Sequence, residues 1–110
     1  MENNSFQNSI IFDLSESVEY SNGSVVSKTI RKKTTGNLSL FAFDKGQGLS
    51  EHSAPFDAII QIIDGNAEIS IDKKPYNLIR GQFIIMPANI PHSVFAHERF
   101  KMLLIMIKGE

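Results

Sequence analysis

Few side chains in this chain can do chemistry. None of its 110 residues is cysteine, which removes thiolate nucleophiles, disulfides and cysteine-based zinc sites. Metal ligation and proton transfer therefore fall to 3 histidines and to the 12 Asp and Glu residues. A neutral imidazole can orient a ligand, take a proton beside a carbonyl or ligate a metal near pH 7. His92 follows Pro91 directly, with Pro87 just upstream. Two prolines stiffen that approach and forbid helix there, which suits a side chain that must be aimed. His52 precedes Ser53-Ala54-Pro55, and His97 lies in Ala96-His97-Glu98-Arg99, which reads as an exposed turn with no role.

The elements that must position these residues are strands. From Val25 onward, short β-rich runs are broken by Gly, Pro, Asn and Asp. Val25 to Arg31 and Asn37 to Phe43 flank a turn at Lys32-Lys33-Thr34-Thr35-Gly36. Asp64-Gly65 between Asp57 to Ile63 and Asn66 to Ile71 predicts a short hairpin. Asp72-Lys73-Lys74-Pro75 makes the next turn, followed by Tyr76 to Ile79, Gln82 to Met86, His92 to Ala96 and Phe100 to Lys108. Helical periodicity is weak, so the pattern predicts an all-β sandwich or barrel. Side chains alternate sides along a strand. Phe100, Met102, Leu104 and Met106 then point inward, while Leu103, Ile105 and Ile107 need cover from a second sheet or another subunit. The chain divides into an N-terminal arm, 1–24, and one β-domain, 25–110, with Asp13-Leu14-Ser15-Glu16 able to cap a helical turn.

Composition narrows the partners. Hydrophobic residues make up 42% of the chain, and 11 Lys and Arg against 12 Asp and Glu leave a net charge of -1. That balance gives no bias toward nucleic-acid phosphates or an anionic membrane. Met1-Glu2-Asn3-Asn4 lacks the layout of a secretory signal, and the purely apolar run Met102 to Ile107 is too short to span a bilayer. The expected location is the cytoplasm, with no nucleic acid and no membrane as partner.

Two spaced segments resemble the paired motifs of the cupin superfamily. The first is Gly, five residues, His-x-His, three or four residues, Glu, six residues, Gly; here Gly46, His52, Ala54, Ala58 and Gly65 fall on its positions. The second is Gly, five residues, Pro-x-Gly, two residues, His, three residues, Asn; here Gly81, Pro87, Asn89, His92 and Ala96 do. Gly65 and Gly81 fit turns of positive φ. The resemblance implies a single-domain double-stranded β-helix, the cupin jelly-roll barrel. It also implies a metal site of three His and one Glu, of which only His52 and His92 remain. Alanine stands at the other two positions. Asp57 is a third ligand only if a bulge at Pro55-Phe56 re-aims it, since its parity puts it outside with Gln61. Two imidazoles fall short of a catalytic zinc or a two-His, one-carboxylate iron site. A divalent ion (Zn, Fe, Ni or Mn) is thus expected to bind weakly or not at all.

Ala54 and Ala58 are small where bulky ligands usually sit, which would enlarge a cavity. Its expected lining is His52, Ala54, Ala58, Ile60, Phe83, Ile85, His92, Phe100 and Met102, with Met106 beside them. An apolar pocket with two convergent polar groups suits a small organic ligand such as a sugar or small acid. The first expectation is a binding module that forms a homodimer; as a free-standing sensor it would need a partner protein. The alternative is an enzyme: a metal-dependent oxygenase or isomerase, or a metal-free epimerase with His52 or His92 as base and Tyr76 as acid. A dimeric scaffold with a filled interior is the third.

Overall fold

The computed structural model describes residues 6–108; the Met1–Asn4 start and the last two residues lie outside the described part. Eight strands follow one another: β1 Val25–Lys33, β2 Gly36–Phe43, β3 Gly48–His52, β4 Asp57–Ile71, β5 Lys74–Ile79, β6 Phe83–Met86, β7 His92–Phe95 and β8 Phe100–Ile107. Among the described residues there is no helix, and so none long and apolar enough to cross a membrane. β3 is an addition to the sequence reading; Gly48-Leu49-Ser50-Glu51-His52 carries one apolar residue and forms by antiparallel pairing with β7.

The long strand β4 organises the molecule. Its N-terminal half pairs with β8 on one side and β6 on the other, and β8 continues to β2 and β1. Its C-terminal half pairs with β5 and β7, and β7 continues to β3. One strand therefore belongs to two facing sheets. The predicted Asp64-Gly65 hairpin is corrected: the chain does not reverse within one sheet there, but bulges and bends from one sheet into the other. The residue requirement is the same, which is why the sequence suggested a turn. Gly65 has φ +72°, and a Cβ there would lie 2.2 Å from the Arg99 carbonyl oxygen. The true hairpins are β1–β2, turning at Thr34-Thr35, and β4–β5, where Asp72 and Lys73 both take positive φ (52° and 67°) as a type I′ turn requires.

Alternation then sorts the side chains. Phe41, Phe43, Ala58, Ile60, Ile62, Phe100, Met102, Leu104 and Met106 from one sheet meet Ala67, Ile69, Ile71, Leu78 and Val94 from the other. The rings of Phe43 and Phe100 stack at 4.5 Å beside the bend. The arm covers the outside of the first sheet. Val18, wholly buried, packs with Leu40, Ala42 and Leu103, flanked by Phe6, Tyr20 and Ile105. The outer face of β8 is thus covered in part by the chain's own arm, while Ile107 stays exposed. Asp13 to Ser17 forms a single turn, with Glu16 N–H donating to Asp13 and Ser17 N–H to Leu14, in place of a helix. Tyr20 fastens the arm to the bend. Its hydroxyl donates to Asp64 at 2.7 Å, and Arg99 and Lys101 lie over its ring at 5.0 and 4.9 Å. Burial and this bond push the phenol far above its ordinary pKa.

The bend yields a direct test. Gly65→Ala forces a Cβ onto the Arg99 carbonyl at positive φ and is expected to destabilise by about 3 kcal/mol or more. Gly46 also has positive φ (+86°) but open space around it, so Gly46→Ala should cost only about 1 kcal/mol. Urea denaturation of the two variants checks the difference, and equal losses would contradict the bend as described.

Candidate functional site

The loop between β6 and β7 gathers the site. Asn89 N–H donates to the Ala54 carbonyl at 2.7 Å, Ala88 N–H to Asp57 Oδ1 at 2.9 Å, and Asp72 N–H to the Pro91 carbonyl at 2.8 Å. One loop therefore bridges the start and the end of β4, and both ends of that bent strand lie at one mouth of the barrel. Asn89 has φ +66°, at the position where the resemblance has glycine. Asn tolerates that region better than most residues, so the loop keeps its shape without glycine.

His52 and His92 meet at this mouth. They are direct partners across the β3–β7 pair, which puts both side chains on the same face. His92 is 7% exposed, whereas His52 is exposed on the edge strand. Their ring centroids lie 4.5 Å apart at 69°. Each ring is aimed the same way: Nδ1 of His52 donates to the Ser50 carbonyl at 2.8 Å, and Nδ1 of His92 to the Ile90 carbonyl at 3.2 Å. A carbonyl can only accept, so the proton sits on Nδ1 in both rings. In the neutral form of either ring the lone pair is then on Nε2. Burial lowers the His92 pKa below its ordinary 6.5, the nearby His52 lowers it further, and the Ile90 carbonyl offsets part of the shift. His92 is therefore a neutral acceptor at pH 7.

The floor of the mouth is filled. Ala58 lies between Met106 and Met86 in register, and Asn37 lies beyond Met106. Ala58 is 4% and Met86 3% exposed, so the room released by a small residue at 58 is taken up by methionine, a usual filler of core gaps. Ile60, Phe100 and Met102, expected to line an open cavity, are sealed in the core instead. Small barrels commonly fill this way. Phe83 and Ile85 are corrected outright: at 62% and 53% exposed they point outward, and Ile84 and Met86 take the inward parity. All four residues are apolar, so alternation alone could not choose between them. Ala54 is half-buried at the rim.

The remaining candidates lie elsewhere. Asp57 is outside, as its parity predicts, and is engaged with Ala88. Glu51 faces Lys73 at 3.1 Å. Tyr76 pairs with Ile69, one inward position deeper than the Ile71–His92 pair, and lies under Lys74. His97 meets Glu68 at 2.6 Å on the surface. No three His, Cys, Asp or Glu side chains come together among the described residues. With alanine at two ligand positions and both neighbouring carboxylates turned away, the donor set does not fit a catalytic metal.

Sequence reasoning missed Asn37, Ile71 and Met86. Ile71 is the cross-strand partner of His92. In β2, Asn37 and Ser39 share the inward parity of Phe41 and Phe43. Their polarity pointed outward, and only the apolar pair further along the same parity signalled the reverse.

A family model described as the cupin domain matches residues 39–108. Among solved structures, the conserved protein SPY1581 of unknown function from Streptococcus pyogenes is 39% identical, with a TM-score of 0.92 over 98% of this chain and 94% of that one. A cupin 2 conserved barrel domain protein from Leptotrichia buccalis is 42% identical with a TM-score of 0.86; the match covers 88% of this chain but 47% of that one, about half its length. A cupin superfamily protein from Desulfitobacterium hafniense is 26% identical, with a TM-score of 0.88 over 94% and 95% of the two chains. No curated protein matches the sequence. The bent β4, the bridging loop and both spaced motifs agree with these likenesses: the chain belongs to the cupin superfamily.

Proposed function

We propose that this cupin binds a small organic molecule at the barrel mouth, with His52 and His92 as its polar anchors. The observation that carries the reading is the matched tautomer of the two rings. Both Nδ1 atoms are tied to backbone carbonyls and the ring centroids lie 4.5 Å apart, so in their neutral forms both rings have Nε2 left to accept from a ligand. Pre-aimed acceptors of this kind supply orientation at little entropic cost on binding. The donor set supports weak or negligible affinity for Zn, Fe, Ni or Mn, so the reading needs no metal.

A second reading draws on the same geometry. A buried, neutral His92 with a free Nε2 has the form of a general base for proton abstraction beside a carbonyl. Deuterium wash-in from solvent at such a carbon, in a candidate ketone or aldehyde ligand, is the measurement that separates turnover from binding. A homodimer is part of the proposal, supported by the apolar side chains of Phe83, Ile85 and Ile107 left on the outer face. Cytoplasmic residence remains an expectation of the same reading.

His52→Ala and His92→Asn should each weaken binding of a ligand found in a thermal-shift screen of sugars and small acids by about tenfold, the worth of one hydrogen bond near 1.4 kcal/mol. Unchanged affinity in the double variant would mean the site lies elsewhere. Elemental analysis after gentle, chelator-free purification should find well below one metal per chain. Protonation supplies a third check. The unfolded chain protonates position 92 at about pH 6.5, and the folded one only at lower pH. Its contribution to stability is therefore complete above pH 6.5 and lost as pH falls through the folded value. His92→Asn, which can still donate to the Ile90 carbonyl, should flatten that slope in denaturation curves between pH 7 and 5.

A further inference from the structure

Among the described residues, one buried side-chain oxygen lacks a partner: no donor from them reaches Asn37 Oδ1. A buried, unsatisfied carbonyl costs about 1–3 kcal/mol, and such groups are few in native folds. Asn37 stands on the inward parity of β2, directly opposite Met106, which is in turn directly opposite Ala58. The row runs to the same end of β4 that the Pro87–Pro91 loop ties to His52 and His92. The orphaned carbonyl is thus part of the mouth rather than of the sealed core around Phe43 and Phe100.

We infer that Asn37 is a third ligand-contacting group and that the ligand is a neutral polyhydroxyl compound, a free sugar or an alditol. The inference rests on the binding role proposed for the His52–His92 mouth. Its chemistry follows from the acceptors that inward-facing residues carry toward this end of the barrel: Nε2 of each neutral imidazole, and the Asn37 amide oxygen that Met106 covers, each call for an O–H or N–H donor. Neither sign of charge is compensated in the floor. Asp57 and Glu51 turn away toward Ala88 and Lys73, so an ammonium ligand would find no counter-ion in either carboxylate near the mouth. Lys32 and Lys74 have inward register from Asn37 and Ile71, but both are exposed at the rim, and Lys74 lies over the Tyr76 ring. Met106 lies in register between Asn37 and Ala58 and is half-buried. An unbranched thioether with three rotatable bonds can swing aside to admit the ligand to the amide.

The test pairs affinity with stability. Asn37→Leu has nearly the same shape and removes the unsatisfied atom. It should raise the thermal midpoint by a few degrees and weaken sugar binding at least tenfold, an exchange of stability for function that a merely structural asparagine would not show. The probes are D-xylose, D-glucose and xylitol against D-galacturonate and D-gluconate. Binding is followed by NMR shifts of the His52, His92 and Asn37 side chains in the full chain. Neutral probes that move all three sets of signals support the inference. Acids that bind while neutral probes do not would overturn the ligand class and point to the rim lysines. Loss of binding in the histidine variants with none in Asn37→Leu would overturn the role of Asn37 and leave the proposed site standing. Silence from every probe overturns the polyhydroxyl assignment. A lowered midpoint in Asn37→Leu with unchanged affinity assigns the amide to structure alone and overturns the inference as well.

Discussion

The fold depends on one bend. β4 is 15 residues long and serves two sheets, which is possible only if the backbone turns sharply where it crosses from one to the other. Gly65 meets both demands of that crossing: positive φ, and an approach to the Arg99 carbonyl that leaves no room for a side chain. The rest of the architecture follows from it. Each half of β4 recruits its own neighbours, β8 and β6 or β7 and β5, and the two inner faces close on one core. The Tyr20–Asp64 bond then holds the arm against the outside of the same corner. The phenol and the carboxylate lie beside Arg99 and Lys101, so the contact that docks the arm also supports the strand that approaches the glycine.

The bend also explains why the site lies where it does. A strand folded back on itself brings its two ends to the same mouth. The Pro87–Pro91 loop fixes them there by donating to Ala54 and Asp57 near one end and accepting from Asp72 at the other. His92 leaves that loop directly into β7, opposite both His52 and Ile71. Position and orientation thus come from backbone hydrogen bonds, not from the imidazoles. That separation lets the frame persist when ligating side chains are replaced by alanine.

Much of this was legible in the sequence through its resemblance to the cupin motifs. The intervals from Gly46 to Gly65 and from Gly81 to Ala96 match those motifs, the resemblance implied that the two histidines meet, and parity read with that match put Ala58, Ile60 and Ile62 inside and Asp57 outside. Three readings failed for definite reasons. Asp64-Gly65 satisfies a hairpin and a sheet-to-sheet bend equally, since both need positive φ, and only long-range pairing separates them. The run Phe83 to Met86 is apolar on both parities, so its inward face is set by register with Ala58 and Ile60 and not by composition. The Gly48–His52 strand has little hydrophobic signal because it is a short edge whose ladder is supplied by β7. The interior was misjudged by a different route. Small residues at 54 and 58 suggested a void, but interiors close-pack, and Met86 with Met106 fills the space beside Ala58.

That filling bears on what the mouth can do. A site with three or four charged or imidazole ligands is held open by the metal it encloses. Here the two imidazoles are held by carbonyls, and the space beside Ala58 is apolar and occupied by Met86 and Met106. On the reading proposed above, a ligand that enters this floor supplies donors to Nε2 of His52, Nε2 of His92 and the Asn37 carbonyl. The cost of displacing methionine is small because the side chain keeps apolar surroundings at the rim. The gain is three hydrogen bonds, one of them to an atom that has no partner otherwise. On that reading the balance favours neutral ligands rich in hydroxyl groups over ions, which would enter a floor where no charged side chain among the described residues meets them.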